Sequence, residues 1–108
     1  MTAKPVKHRE EHILIVTDGK GHREIHLENN TYSIGRGAQC SIMLQSQFVS
    51  RHHATLIKRE EEEGNYYRII DGDSEGKTSF NGLLINGKIV RFHDLKHADK
   101  VSFGPQVE

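Results

Sequence analysis

Val49-Ser50-Arg51-His52-His53-Ala54 divides the chain. Upstream of it, short apolar stretches lead into one polar loop. Downstream, similar stretches lead to a second loop, Ser79-Phe80-Asn81-Gly82, and a third short piece, Gly35-Arg36, lies ahead of both. The three pieces supply an Arg, a Ser and an Asn without a nucleophile paired to a base. That donor set suits a site that holds an anion rather than one that turns over a substrate.

Working outward, the stretches on either side read as strands. His12–Thr17 is short, apolar and largely β-branched, Arg23–Leu27 alternates polar and apolar, and Thr31–Ile34 runs into Gly35-Arg36-Gly37. Asp18-Gly19 and Glu28-Asn29-Asn30 are turn signals between them. Ser41–Leu44 is a further short strand, and a polar loop, Gln45-Ser46-Gln47, precedes the central stretch. Ala54–Lys58 and Tyr66–Asp71 flank the acidic tip Glu60–Glu63, which reads as a solvated hairpin. A long Gly-containing loop, Gly72 to Thr78, follows. Leu83–Ile85 and Lys88–Phe92 flank Asn86-Gly87, whose type I′ turn requires positive φ at both residues. A bend beginning at Leu95 leads to the closing strand, Lys100–Gly104. No sustained three-to-four residue apolar period occurs anywhere, so the expected fold class is all-β, an antiparallel β-sandwich with functional loops at one end.

The 108 residues suit one domain. We read Met1–Glu11 as a loose leader and 12–108 as the sandwich. Lys and Arg number 15, as do Asp and Glu, giving a formal net charge of zero. Wholesale electrostatic binding to nucleic acid or an anionic membrane leaves a basic excess, so neither partner is expected. The single cysteine, Cys40, excludes an intramolecular disulfide and fits a reducing compartment. With no signal-peptide core and no bilayer-length apolar run, the expected location is cytoplasmic. No nucleophile elbow and no Gly-x-x-x-x-Gly-Lys phosphate loop is present, so the chain is not expected to be an enzyme. Cys40 and the His residues lack metal-ligand spacing, and neighbouring His52 and His53 point apart on a strand, so no metal or cofactor is expected.

Each polar residue also has a plain alternative. Arg36 can be a strand-end Arg, Ser50 a turn cap and Asn81 a turn residue; for Asn86 the hairpin is sufficient explanation. The set in order says more. Gly35-Arg36, Ser50-Arg51-His52-His53-Ala54, Asp71, Ser79-Phe80-Asn81-Gly82, Asn86-Gly87, Asp99 and Phe103-Gly104 resemble the signature of forkhead-associated (FHA) domains over nearly the whole chain, from about Ile13 to Gly104.

That resemblance implies a sandwich of about eleven strands that binds phosphothreonine-containing peptides. It assigns Arg36 and Ser50 to the phosphate, an added charged contact to Arg51 and the peptide backbone to Asn81. Gly35, His53, Gly82, Asn86 and Gly87 become structural, with His53 bracing its loop. The chemistry agrees. A phosphothreonine carries about −1.5 to −2 charge and three acceptor oxygens. A guanidinium meets those oxygens with two parallel charge-assisted bonds. The threonine methyl adds roughly 0.8 kcal/mol when buried, favouring phosphothreonine over phosphoserine.

The sequence departs from the family pattern in three places. Phe80 stands where a phosphate-holding Thr is usual, removing a hydrogen bond worth about 1 kcal/mol and putting a ring at the rim. The Gly72–Thr78 loop is long and faces peptide residues C-terminal to the phosphothreonine in such domains, which offers Lys77 as a reader of an acidic residue, although a solvated Lys is the more ordinary reading. Ala98 replaces a Gly before Asp99. Two functions follow: a phosphothreonine-binding module in a Ser/Thr kinase pathway, acting as an adaptor or a regulatory domain, or a phosphate-independent interaction or dimerisation domain. A monomer is expected under the first.

Overall fold

A computed structural model describes residues 11–73, 75–104 and 107–108; most of the expected leader lies outside these. Ten strands run along the chain: β1 (His12–Asp18), β2 (Gly21–Leu27), β3 (Thr31–Gly35), β4 (Ile42–Met43), β5 (Ala54–Glu61), β6 (Gly64–Asp71), β7 (Leu83–Ile85), β8 (Lys88–Val90), β9 (Phe92–Asp94) and β10 (Val101–Ser102). Among the described residues there is no helix, and hence none long and apolar enough to cross a membrane.

Alternating burial shows why these segments are strands. Ala54 and Leu56 are buried in β5, and Tyr67 and Ile69 in β6, while their neighbours are half-buried. β5 and β6 pair in register along their whole length, from Ala54↔Asp71 to Glu61↔Gly64, and form the centre of the sheet β4-β3-β5-β6-β9. The second layer contains β10-β7-β8 and the β1-β2 hairpin. The last residues join these two parts. Val107 bridges Gly104, and Glu108 exchanges both main-chain hydrogen bonds with Thr17, at 2.9 and 3.1 Å. Among the described residues this join is an isolated bridge rather than a further strand, so ten strands stand where about eleven were expected. Ile34, Leu56 and Ile69 of the first layer share one core with Leu83, Ile85 and Phe103 of the second.

The fold is thus a sandwich of strands, with refinements to the expected detail. One pair is parallel: β3 with β4, through Ile34↔Ile42 and Gly35↔Met43. Parallel pairs usually need a crossover of a dozen residues or more. Here Ser33 and Ser41 take over the closure, each Oγ accepting the other's N–H at 2.8 and 2.9 Å. The segment Lys88–Phe92 is two strands rather than one. Val90 pairs with Leu83 in one layer and Phe92 with Ile70 in the other. The chain changes layer at Arg91, whose carbonyl accepts the Asp71 N–H at 2.8 Å.

Asn86 (φ 51°) and Gly87 (φ 85°) form the expected tight turn. Asn86 does more than turn: its Nδ2 donates to Asp99 and its Oδ1 accepts the Lys100 N–H. Ala98 adopts φ 68°, a left-handed conformation that suits Gly better.

Candidate anion-binding site

Strand register brings three distant loops to one end of the sandwich. Ala54, the first residue of β5, lies opposite Ile34 near the end of β3 and opposite Asp71 at the end of β6. The loops after β3, before β5 and after β6 therefore emerge side by side.

Gly35 explains how closely the first two approach. A Cβ there would stand 2.1 Å from the Arg51 carbonyl oxygen and 2.9 Å from that of Ser50. Only the absence of a side chain allows this contact. The ladder continues past it, with Arg36 N–H donating to Ser50 O at 2.9 Å and Gly37 N–H to Arg51 O at 3.0 Å. The Arg36 side chain is exposed and its Nε donates to the Val49 carbonyl at 3.0 Å. No hydrogen bond among the described residues engages its Nη groups. The guanidinium is thereby aimed, with its two terminal nitrogens available.

His53 joins the second and third loops. It is fully buried, edge-on to Phe103 with ring centroids 5.4 Å apart. Its Nδ1 accepts the Ser50 N–H at 3.1 Å, and its Nε2 donates to the Gly82 carbonyl at 2.6 Å. A carbonyl only accepts and an N–H only donates, so the ring is the neutral Nε2–H tautomer. Burial agrees, pushing the imidazole below its ordinary pKa against the opposing pull of the Gly82 carbonyl and Asp71. Gly82 itself has φ 84°, a conformation that favours Gly.

Ser50 Oγ accepts the Phe80 N–H at 2.9 Å, leaving its hydroxyl proton to donate. Asn81 Nδ2 donates to the Phe48 carbonyl at 2.6 Å, leaving Oδ1 to accept. Ser79 shapes the same turn: its N–H donates to Asp71 and its Oγ accepts the Gly82 N–H, each at 3.0 Å. Asp73 organises the Gly72–Thr78 loop, its Oδ1 accepting the N–H groups of Glu75 and Lys77. Those bonds, the Lys77 one foremost, hold its carboxyl below the ordinary range. The Asp71 and Asp73 carboxylates are thus engaged by main-chain donors, while the Arg36 side chain is exposed.

Arg36, Ser50, Asn81 and Phe80 are therefore linked through one loop cluster. Phe80 is 94% exposed, so its ring covers no neighbouring group. Arg51 contributes its carbonyl to the Gly37 contact and leaves its side chain exposed. Lys77 belongs to the adjoining loop, and its side chain is exposed. His52 turns to Thr55 Oγ1 at 2.9 Å, away from His53. The two lie in the turn before β5 rather than on a strand, and still diverge. Sequence reasoning did not single out Phe48, 42% exposed, nor the Val49 carbonyl that aims Arg36. An aromatic residue directly after the polar run Gln45-Ser46-Gln47 was the available signal for the first.

A family model for the FHA domain matches residues 32–104. An uncharacterized protein of Synechocystis sp., sll1895, is 36% identical over 96 residues, covering 88% of this chain and 14% of that protein. The chain thus spans only a small part of that curated relative. The crystal structure of the Slr1951 protein from Synechocystis sp. has a TM-score of 0.86 at 46% identity, covering 91% of this chain and 92% of that one. The yeast Dun1 FHA domain, determined in complex with a doubly phosphorylated (pT) peptide, shares the fold. Its TM-score is 0.66 at 23% identity over 99% of this chain and 77% of that one. With more than half of its length matched by the family model, the chain belongs to the FHA domain family.

Proposed function

We propose that this domain binds proteins carrying phosphothreonine, the product of a Ser/Thr kinase. It would act as an adaptor or as the regulatory part of a larger protein. The observation that carries the reading is the exposed Arg36 side chain, fixed through Nε to the carbonyl of Val49, the residue next to Ser50, whose Oγ accepts the Phe80 N–H and keeps its proton to donate. In this reading Arg36 meets two phosphate oxygens and Ser50 donates to a third. Asn81 Oδ1 accepts an N–H from the extended peptide, and Arg51 and Lys77 add longer-range attraction. The phosphothreonine peptide bound to the yeast Dun1 domain supports the same reading.

The test is binding to an oriented phosphothreonine peptide library, with phosphoserine and unphosphorylated controls. Selective phosphothreonine binding that falls at least about tenfold in Arg36→Ala is expected, since a bidentate charge-assisted pair contributes about 1.5–3 kcal/mol. Equal binding by Arg36→Ala would remove Arg36 from the site.

One observation favours the second reading, a phosphate-independent interaction domain. Ile13 and Ile15, 44% and 63% exposed, share the outer face of β1. Concentration-dependent dimerisation that persists in Arg36→Ala and is lost in Ile15→Lys would support it.

A further inference from the structure

Among the described residues two polar or charged side chains are buried, those of His53 and Asp18. His53 braces the loop cluster, whereas Asp18 lies outside it, at the end of β1. A buried carboxylate is costly unless donors surround it. Asp18 is fully covered, and its donors come from separate segments. Oδ1 accepts the Lys20 N–H at 2.9 Å, within its own turn, and Oδ2 accepts the Gln45 N–H at 2.8 Å, from the loop after β4. Arg23 completes the shell, with Nη1 3.2 Å from Oδ2 and Nη2 donating to the Met43 carbonyl. Burial pulls the pKa of the carboxyl up, but the Gln45 and Lys20 N–H groups and Arg23 outweigh it and hold the carboxyl below its ordinary range. Gln45 is held from its other side as well, its carbonyl accepting the Gly19 N–H at 3.1 Å.

We infer that Asp18 is a positioning residue for the anion site: by fixing Gln45 it holds the turn whose carbonyls orient Arg36 and Asn81. The inference rests on the phosphothreonine reading and names a residue, remote from the ligand, on which affinity depends. Gln45 leads directly into that turn. Ser46 Oγ accepts the Phe48 N–H at 3.1 Å, and Ser46 O accepts the Val49 N–H at 3.2 Å. The Phe48 and Val49 carbonyls then accept from Asn81 Nδ2 and Arg36 Nε. A displacement at Gln45 is therefore passed along hydrogen-bonded backbone to both side chains. A carboxylate suits the role, because its two oxygens meet main-chain donors from two segments at once. Val49 is buried at the far end of the turn, so loss of Asp18 loosens the turn without releasing it.

The experiment uses the full chain. A fluorescent phosphothreonine peptide taken from the oriented library is titrated against wild type, Asp18→Ala and Leu27→Val, well below the melting temperature of each. Leu27 lies at the other end of the same hairpin, paired with His12, and reports general destabilisation. Asp18→Ala is expected to bind about three- to tenfold more weakly, because two side chains must be partly re-ordered on binding, while Leu27→Val binds as wild type. In the ligand-free, isotope-labelled chain, the Arg36 Nε–H resonance is expected to shift and exchange faster with solvent in Asp18→Ala and to stay in place in Leu27→Val. A merely structural Asp18 would lower the melting temperature without moving that resonance. Gly19→Ala decides if Asp18→Ala does not fold. Its Cβ would stand 2.9 Å from the Gln45 carbonyl oxygen, displacing the same residue from an exposed position, and the same two effects are expected.

Wild-type affinity or an unmoved Arg36 Nε–H in the deciding variant overturns the positioning role, as does equal weakening in Leu27→Val. The resonance is read without ligand. A wild-type chain that binds no phosphothreonine peptide therefore overturns the functional reading, while the spectrum still decides for or against Asp18.

Discussion

Replacing His53 by Ala tests the central link of the loop cluster. The change deletes two buried hydrogen bonds, leaving the Ser50 N–H and the Gly82 carbonyl without their partner. It also removes the edge-on contact with Phe103 and leaves a void in a fully buried position. Two such bonds, one aromatic contact and partial collapse of the void together predict a loss of about 3 to 4 kcal/mol. Urea unfolding followed by far-ultraviolet circular dichroism measures this as a lower midpoint at unchanged slope. The loss also has a pH signature. In the folded state burial holds the imidazole below its ordinary pKa of 6.5, whereas the unfolded chain titrates near that value. Below about pH 6.5 the unfolded state binds the proton more readily, so the stability contributed by neutral His53 is present above that pH and declines as pH falls. The gap between wild type and variant should therefore be wider near pH 7.5 than near pH 5.5. A loss under about 1 kcal/mol, or a gap that widens on acidification, would refute the neutral bracing role.

Two further changes probe the backbone. Gly35→Ala places a Cβ 2.1 Å from the Arg51 carbonyl oxygen, so the loop before β5 must move. Unfolding should show a loss of at least about 2 kcal/mol, accompanied by weaker phosphothreonine binding than wild type in the same library. Ala98→Gly relieves the left-handed conformation at φ 68°. After the entropy that Gly loses on folding, it should stabilise by about 0.5 to 1 kcal/mol, read as a raised urea midpoint.

Much of the fold was legible because its strands carry local signatures. Alternation at Arg23–Leu27 and β-branching at His12–Thr17 located strands, and Asn86-Gly87 located its hairpin through the φ values that turn requires. What escaped the sequence depends on pairing between distant segments. Whether β4 runs parallel or antiparallel to β3 is decided by how Ser33 and Ser41 close on each other, and the strand of Ile42–Met43 is too short to show its direction. The change of layer at Arg91 leaves no trace in an apolar run that reads the same whether it pairs with Leu83 or with Ile70. Ala98 carries a residue type that argues against its own conformation. Asp99, which receives the side chains of Asn86 and His93 and the N–H of Lys96, explains how that bend is held.

The candidate site was legible in its side chains and silent in its carbonyls, for a physical reason. Arg36, Ser50 and Asn81 are recognisable residue types, whereas Val49 O and Phe48 O belong to backbone that any residue provides. Yet the carbonyls determine what the side chains can do. Arg36 commits Nε and keeps its Nη groups; Asn81 commits Nδ2 and keeps Oδ1. Ser50 commits its oxygen as an acceptor and keeps its proton. Each group is oriented by one bond to the scaffold and retains capacity for an anion and an extended chain. Ordering a side chain on binding costs about 0.5 to 1.5 kcal/mol, so three side chains already ordered spare the proposed ligand about 2 to 4 kcal/mol. That is equivalent to roughly two orders of magnitude in affinity, gained before any ligand contact forms. The closeness that Gly35 permits and the bridge that His53 makes thus bear on affinity as directly as the groups that would touch the phosphate.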